Sequence, residues 1–171
     1  MYSADGKTLA APYEGGKLRL WDTGTAKPRL TLDSQIEGND EFICSLAFSP
    51  DGKTLAIGGS RQTLKLFDPV TGKEKQTLKS GSQGSLFALA FSPDSKILAS
   101  GSGDGCILWD TETGEQKRVL RDFQGVVTGV SFSRDGKTLA TGVAKLAKDQ
   151  GEHAGGEVKL WPVRDLLNGN K

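Results

Sequence analysis

Short apolar runs separated by turn residues succeed one another along the chain. LFALAFSPDSKILAS shows the pattern: an apolar run over Leu86–Phe91, a turn, then a second run over 96–100. Asp94-Ser95 occupies that turn, and Asp-Gly stands in the same place at 5–6, 51–52 and 135–136. Asp bonds the backbone ahead of it and Gly accepts a positive φ, so these pairs reverse the chain between two strands. The next runs, around Leu64–Phe67 and Ile107–Trp109, mix β-branched, aromatic and Leu residues and read as strands. TGKEKQTL and TGEQKRVL follow them as a turn and a polar outer strand.

The pattern repeats. SADGKTLA begins at Ser3, SPDGKTLA at Ser49, SPDSKILA at Ser92 and SRDGKTLA at Ser133, in steps of 46, 43 and 41 residues. A second motif keeps phase with it: LRLWD at 18–22, LKLFD at 64–68, ILWD at 107–110 and VKLWP at 158–162. Each repeat predicts a four-stranded antiparallel sheet, with strands a to d from inside out. Strand a is expected at 43–48, 86–91 and 127–132, and strand b at 7–11, 53–58, 96–100 and 137–142. Strand c is expected at 17–21, 63–67, 106–109 and 157–161, and strand d at 28–32, 74–78 and 116–120. One such sheet cannot bury both faces alone, whereas sheets stacked around an axis can.

A period of 41–46 residues with a recurring Trp-Asp resembles the WD-repeat family of β-propellers. The resemblance covers essentially the whole chain. It implies an all-β propeller segment over 1–171, with blades at approximately 1–32, 43–78, 86–120 and 127–163. The tail, 164–171, is left as a helical turn or a poor outer strand. Blade one lacks strand a and blade four lacks a convincing strand d. The preferred expectation is therefore the C-terminal part of a larger propeller. A half-propeller that closes by homo-oligomerisation and a closed four-bladed monomer are the alternatives.

The family pattern joins a His before strand a to an Asp in the b–c turn, a Ser or Thr on strand b and the Trp on strand c. No repeat here holds the full set. Gly38-Asn39, Gly81-Ser82 and Asp122-Phe123 stand where Gly-His would. Asp104 alone fills the Asp position; Gly15, Arg61 and Gly155 replace it elsewhere. Strand b offers Ser100 and Thr141, but Ala11 and Ile57 in the other two repeats. The Trp position holds Trp21, Phe67, Trp109 and Trp161. Phe67 has no indole N–H to donate, so blade two must rely on packing. DGCILWD is one residue short of the family's usual spacing. That deletion must be absorbed in the turn, or it would flip Cys106 and Ile107 to the opposite face.

Blade four carries an insert, AKLAKDQGEHAGGE at 144–157, in its b–c loop. By resemblance, b–c and d–a loops share the top face, where partners dock. The insert is either a tolerated extension or a partner-contacting projection, and AKLAKDQ could form one or two helical turns before Gly-Gly. Candidate contacts on this face are Asn39 and Asp40, Arg61 and Gln62, Ser82 and Gln83, Phe123 and Gln124, and Lys145, Lys148 and His153 of the insert. Phe123 either contacts a partner or tucks into the blade interface.

Composition narrows the chemistry. Lys plus Arg is 22 and Asp plus Glu is 21, a net charge of +1, which supplies no strong field for nucleic acid or an anionic membrane. Glycine accounts for 23 of 171 residues without a collagen period, as many tight turns require. Cys44 and Cys106 form no CxxC pair and read as small buried thiols. A single histidine excludes multi-histidine metal sites and leaves little acid–base chemistry at neutral pH. GSGDG at 101–105 precedes a strand and lacks a following Lys-Ser/Thr, so it reads as a hairpin rather than a phosphate cradle. Asp22, Asp68 and Asp110 recur with the repeat and cap turns. Neither a signal peptide nor a membrane span is found, and a cytoplasmic location is the expectation.

The expected function is a non-catalytic scaffold that binds proteins or peptides, with no cofactor, metal, nucleic acid or membrane. A purely structural role in completing a ring, and the substrate-binding portion of a propeller enzyme, are the competing readings. The enzyme would need polar groups at the starts of strand a, where Ile43, Leu86 and Val127 stand.

Overall fold

A computed structural model describes residues 1–14, 16–34, 43–60, 63–79, 84–145 and 155–168. Sheet I comprises β1 (Thr8–Tyr13), β2 (Lys17–Asp22) and β3 (Lys27–Asp33). Sheet II comprises β4 (Ile43–Phe48), β5 (Leu55–Gly59), β6 (Thr63–Phe67) and β7 (Glu74–Lys79). Sheet III comprises β8 (Leu86–Phe91), β9 (Ile97–Ser102), β10 (Gly105–Asp110) and β11 (Gln116–Leu120). Sheet IV comprises β12 (Val126–Phe132), β13 (Thr138–Ala144) and β14 (Gly156–Pro162), followed by helix α1 (Val163–Asn168). Every neighbouring pair is antiparallel and sequential.

The b strands begin and end one or two residues later than the sequence predicts. The later starts follow from a hydrogen-bonded box that holds the a–b turn closed through its Lys. In sheet II the Ser49 hydroxyl donates to Asp51 Oδ1 (2.6 Å), the Lys53 N–H donates to the same oxygen (3.0 Å), and the Thr54 N–H donates to Ser49 Oγ (2.9 Å). The same three bonds recur around Ser3, Ser92 and Ser133. Gly6, Gly52 and Gly136 take φ near +70° there, and Ser95 takes +64° without glycine's freedom.

Register is the same in all four sheets. Leu55 lies between Phe48 and Phe67, Leu98 between Phe91 and Trp109, and Leu139 between Phe132 and Trp161. Leu9 lies between Trp21 and Tyr2, which forms an isolated bridge on the side where strand a would run. A bulge near the start of each a strand leaves Cys44, Phe87 and Thr128 out of the ladder. Cys44 is consequently only half-buried, a correction to its reading as a buried thiol, whereas Cys106 is fully buried and burial pushes its thiol up to about 12.

The shortened b–c turn of sheet III absorbs its deletion. Cys106 pairs with Gly101 and Leu108 with Ala99, as Leu64 pairs with Gly58 and Leu66 with Ala56 in sheet II. A two-residue turn, Gly103-Asp104, suffices because Gly105 takes φ +123°. A Cβ on Gly105 would lie 2.1 Å from the Leu120 carbonyl oxygen.

Three apolar cores join consecutive sheets. Leu18, Leu20 and Leu32 of sheet I pack against Leu55, Ile57 and Phe67 of sheet II. Leu64, Leu66 and Leu78 of sheet II pack against Leu98 and Trp109 of sheet III. Cys106, Leu108 and Leu120 of sheet III pack against Leu139, Val143 and Leu166, the last from α1. Thus α1 resolves the described part of the tail as helix, packing against the outer part of sheet III. No described helix is long and apolar enough to cross a membrane.

Candidate functional site

The two ends of the stacked sheets differ in kind. At the end bearing the a–b and c–d turns, near-identical hydrogen bonds recur from sheet to sheet. Asp22, Asp68 and Asp110 each accept backbone N–H bonds from the c–d turn that follows: Thr25 (2.7 Å), Thr71 (2.9 Å) and Thr113 (2.9 Å). Those bonds hold the three carboxyls below the usual carboxylate range, Asp110 at about 2, where Lys117 adds an ion pair at 3.0 Å. Ser hydroxyls do the same for Asp5, Asp94 and Asp135 in the a–b turns. The Ser of this box is a role the sequence reading missed; its recurrence two residues before every turn Asp was the available signal.

The opposite end carries the b–c and d–a loops, and its described residues are unlike in each sheet. Between sheets III and IV it forms a compact cluster. Lys159, on β14, places its Nζ 3.0 Å from Asp122 Oδ2 and 3.9 Å from Glu157 Oε1, and also donates to the Asp122 carbonyl oxygen. The same ammonium lies 5.6 Å from the Phe123 ring centroid and 6.0 Å from that of Trp161. Phe123 meets Trp161 edge to face, with centroids 5.7 Å apart and planes at 67°. Phe123 is half-buried and packs against the core between sheets III and IV. Its ring thus lies at the interface between the two blades. Asp122 is the exposed member of the pair, and Gln124 beside it is exposed as well.

The remaining blade-signature residues divide as their chemistry dictates. Trp109 donates its indole N–H to Ser100 Oγ at 2.8 Å, with both residues buried. Trp161 donates to Thr141 Oγ1 at 3.0 Å from a half-buried position. Phe67 is buried against Leu55 and Ile57, the packing its missing N–H demands. Trp21 lies half-exposed on the outer face of sheet I. Asp104 stands exposed in its turn, its backbone N–H donating to Ser102 Oγ at 3.2 Å. Lys145 is exposed where the insert begins, and its N–H bonds the Gly155 carbonyl (3.0 Å) to close the base of that loop. Asn39, Asp40, Arg61, Gln62, Ser82, Gln83, Lys148 and His153 lie outside the described residues, as does the helical reading of the insert.

Four antiparallel sheets in one register, stacked face to face by repeat-equivalent residues, define a partial β-propeller. The WD domain, G-beta repeat family matches residues 29–68, 72–110 and 114–161. The chain belongs to that WD40 family. Each match begins in a d strand or the c–d turn before it and ends near the next Trp position, so the three matches step across all four sheets. No curated protein matches the chain closely enough to mark a relative.

Proposed function

We propose that the chain is a non-catalytic WD-repeat platform that binds a protein or peptide segment across its b–c and d–a loop end. The difference between the two ends carries this reading. One end spends its Ser, Asp and Thr side chains on the same internal bonds in sheet after sheet. The other presents unlike, exposed polar groups on a rigid scaffold, among them Asp104, Asp122, Gln124 and Lys145. Function concentrates on such loops because the sheets hold them in place while their sequences vary freely. The a strands support the non-catalytic reading: Ile43, Leu86 and Val127 near their starts are apolar.

Selection of a displayed peptide library on the purified chain tests the proposal. A selected peptide should lose affinity in the Asp122→Ala/Gln124→Ala variant and in a chain lacking 145–154. It should bind unchanged to Lys53→Ala at the opposite end. Peptides insensitive to both loop variants, or none selected, would refute the reading.

A further inference from the structure

Sheet IV exposes what the other sheets bury. On strand c, Leu18 and Leu20, Leu64 and Leu66, and Cys106 and Leu108 are all 0% or 1% exposed, because the following sheet covers them. Their equivalents in the same register on β14, Val158 and Leu160, are 71% and 68% exposed. Helix α1 leaves this face free, since Leu166 turns to sheet III.

Sheet I carries the opposite face. Leu55 and Phe67, Leu98 and Trp109, and Leu139 and Trp161 are the pairs that cover each preceding sheet. Their equivalents, Leu9 and Trp21, are half-exposed and line an open cavity of about 340 Å³ with Tyr2 and Ala26. On the same face Arg19, stacked 3.6 Å over Tyr13, has a buried Nε with no hydrogen-bond partner among the described residues. Its counterpart Lys159 reaches Asp122 on the preceding repeat.

One detail selects the occupant. In sheets II and III the c–d turn approaches the d strand of the preceding sheet, and glycine makes room. A Cβ on Gly72 would lie 2.9 Å from Leu30 and Leu32 methyls, and one on Gly114 2.0 Å from Gln76 Nε2. Sheet I has Ala26 at that place, at φ +54°, so its turn presents a methyl where the other two present none, and a sheet without an outer strand meets it with nothing to displace. Sheet IV has no described fourth strand. The edge of sheet I offers no better route, because Pro12 on β1 has no N–H to donate.

We propose that two copies of this chain associate head to tail, the Val158–Leu160 face of each covering the Leu9–Trp21 face of the other. Two such contacts related by a two-fold axis close on themselves, and eight sheets lie within the known range of propeller sizes.

Size-exclusion chromatography with light scattering on the full chain tests this. The expected species has twice the 18.2 kDa chain mass. Leu160→Glu and Leu9→Glu should each give a folded chain of 18.2 kDa, since either variant spoils both contacts. Circular dichroism checks that each remains folded, with Val158→Lys as a second, fully surface-directed variant. Mixing the two Glu variants should restore a dimer, because one wild-type contact remains possible between unlike chains. A monomeric wild type, an open-ended series of oligomers, a dimer indifferent to Leu160→Glu, or a mixture that stays monomeric would each overturn the proposal.

Discussion

Replacing Ser100 with Ala removes the acceptor of a buried indole N–H while changing the shape of the site very little. Trp109 is 1% exposed, as is Ser100, and the bond between them is 2.8 Å. Water cannot take the place of the lost hydroxyl, so the cost is that of an orphaned buried donor, about 2 kcal/mol. Thr141→Val makes the same deletion under Trp161, which is half-buried. Solvent can reach that indole, and the expected cost is about 0.5–1 kcal/mol. The double variant Ser100→Ala/Trp109→Phe should cost about 1 kcal/mol less than the sum of its parts, because neither partner is then left unsatisfied. Sheet II already uses this apolar solution, with Ile57 and Phe67 buried at the equivalent positions. Urea unfolding at fixed protein concentration, followed by circular dichroism, reads these three differences and that of Trp109→Phe alone through the midpoint at constant slope. Equal costs for Ser100→Ala and Thr141→Val, or an additive cycle, would refute the reasoning.

Two further outcomes rest on single turns. Asp110→Asn should destabilise by on the order of 1 kcal/mol near neutral pH, a value limited by solvent screening of a partly exposed carboxylate. Because the folded-state carboxyl sits at about 2, below the ordinary 3.8, its contribution is complete above about pH 4 and lost as pH falls through 2. The gap between wild type and variant, followed by thermal unfolding from pH 7 to pH 2, should therefore close at the acid end; a gap that widens there would contradict it. Gly105→Ala, which drives a Cβ to 2.1 Å from the Leu120 carbonyl oxygen at φ +123°, should cost about 3 kcal/mol or more, and near-wild-type unfolding would show that the two-residue turn is not required.

Strand order, turns and register were legible in the amino-acid sequence because each depends on neighbours within a few residues or one hairpin away. The Asp-Gly pair reverses its own hairpin and the strand-c Asp caps the turn that follows it, although the Ser that closes each box went unread. The same locality let the sheet III deletion be placed in its turn. Less was legible of the loop end, where residues differ from repeat to repeat and no internal comparison exists. Phe123 could be assigned to a loop but not to a direction.

Burial was decided by the tertiary structure alone. VKLW and LKLF are nearly the same words, yet Leu160 is exposed and Leu66 is buried, because only Leu66 has another sheet beside it. Phe123 turned inward because Trp161 and the Lys159 ammonium stand beneath it, residues more than thirty positions away. Cys44 and Cys106 have similar local surroundings in sequence and different fates, one displaced by a bulge and one sealed between sheets. A hydrogen-bonded turn is a property of its own residues; a covered face is a property of whatever packs against it, and the second is read only where the sheets stand side by side.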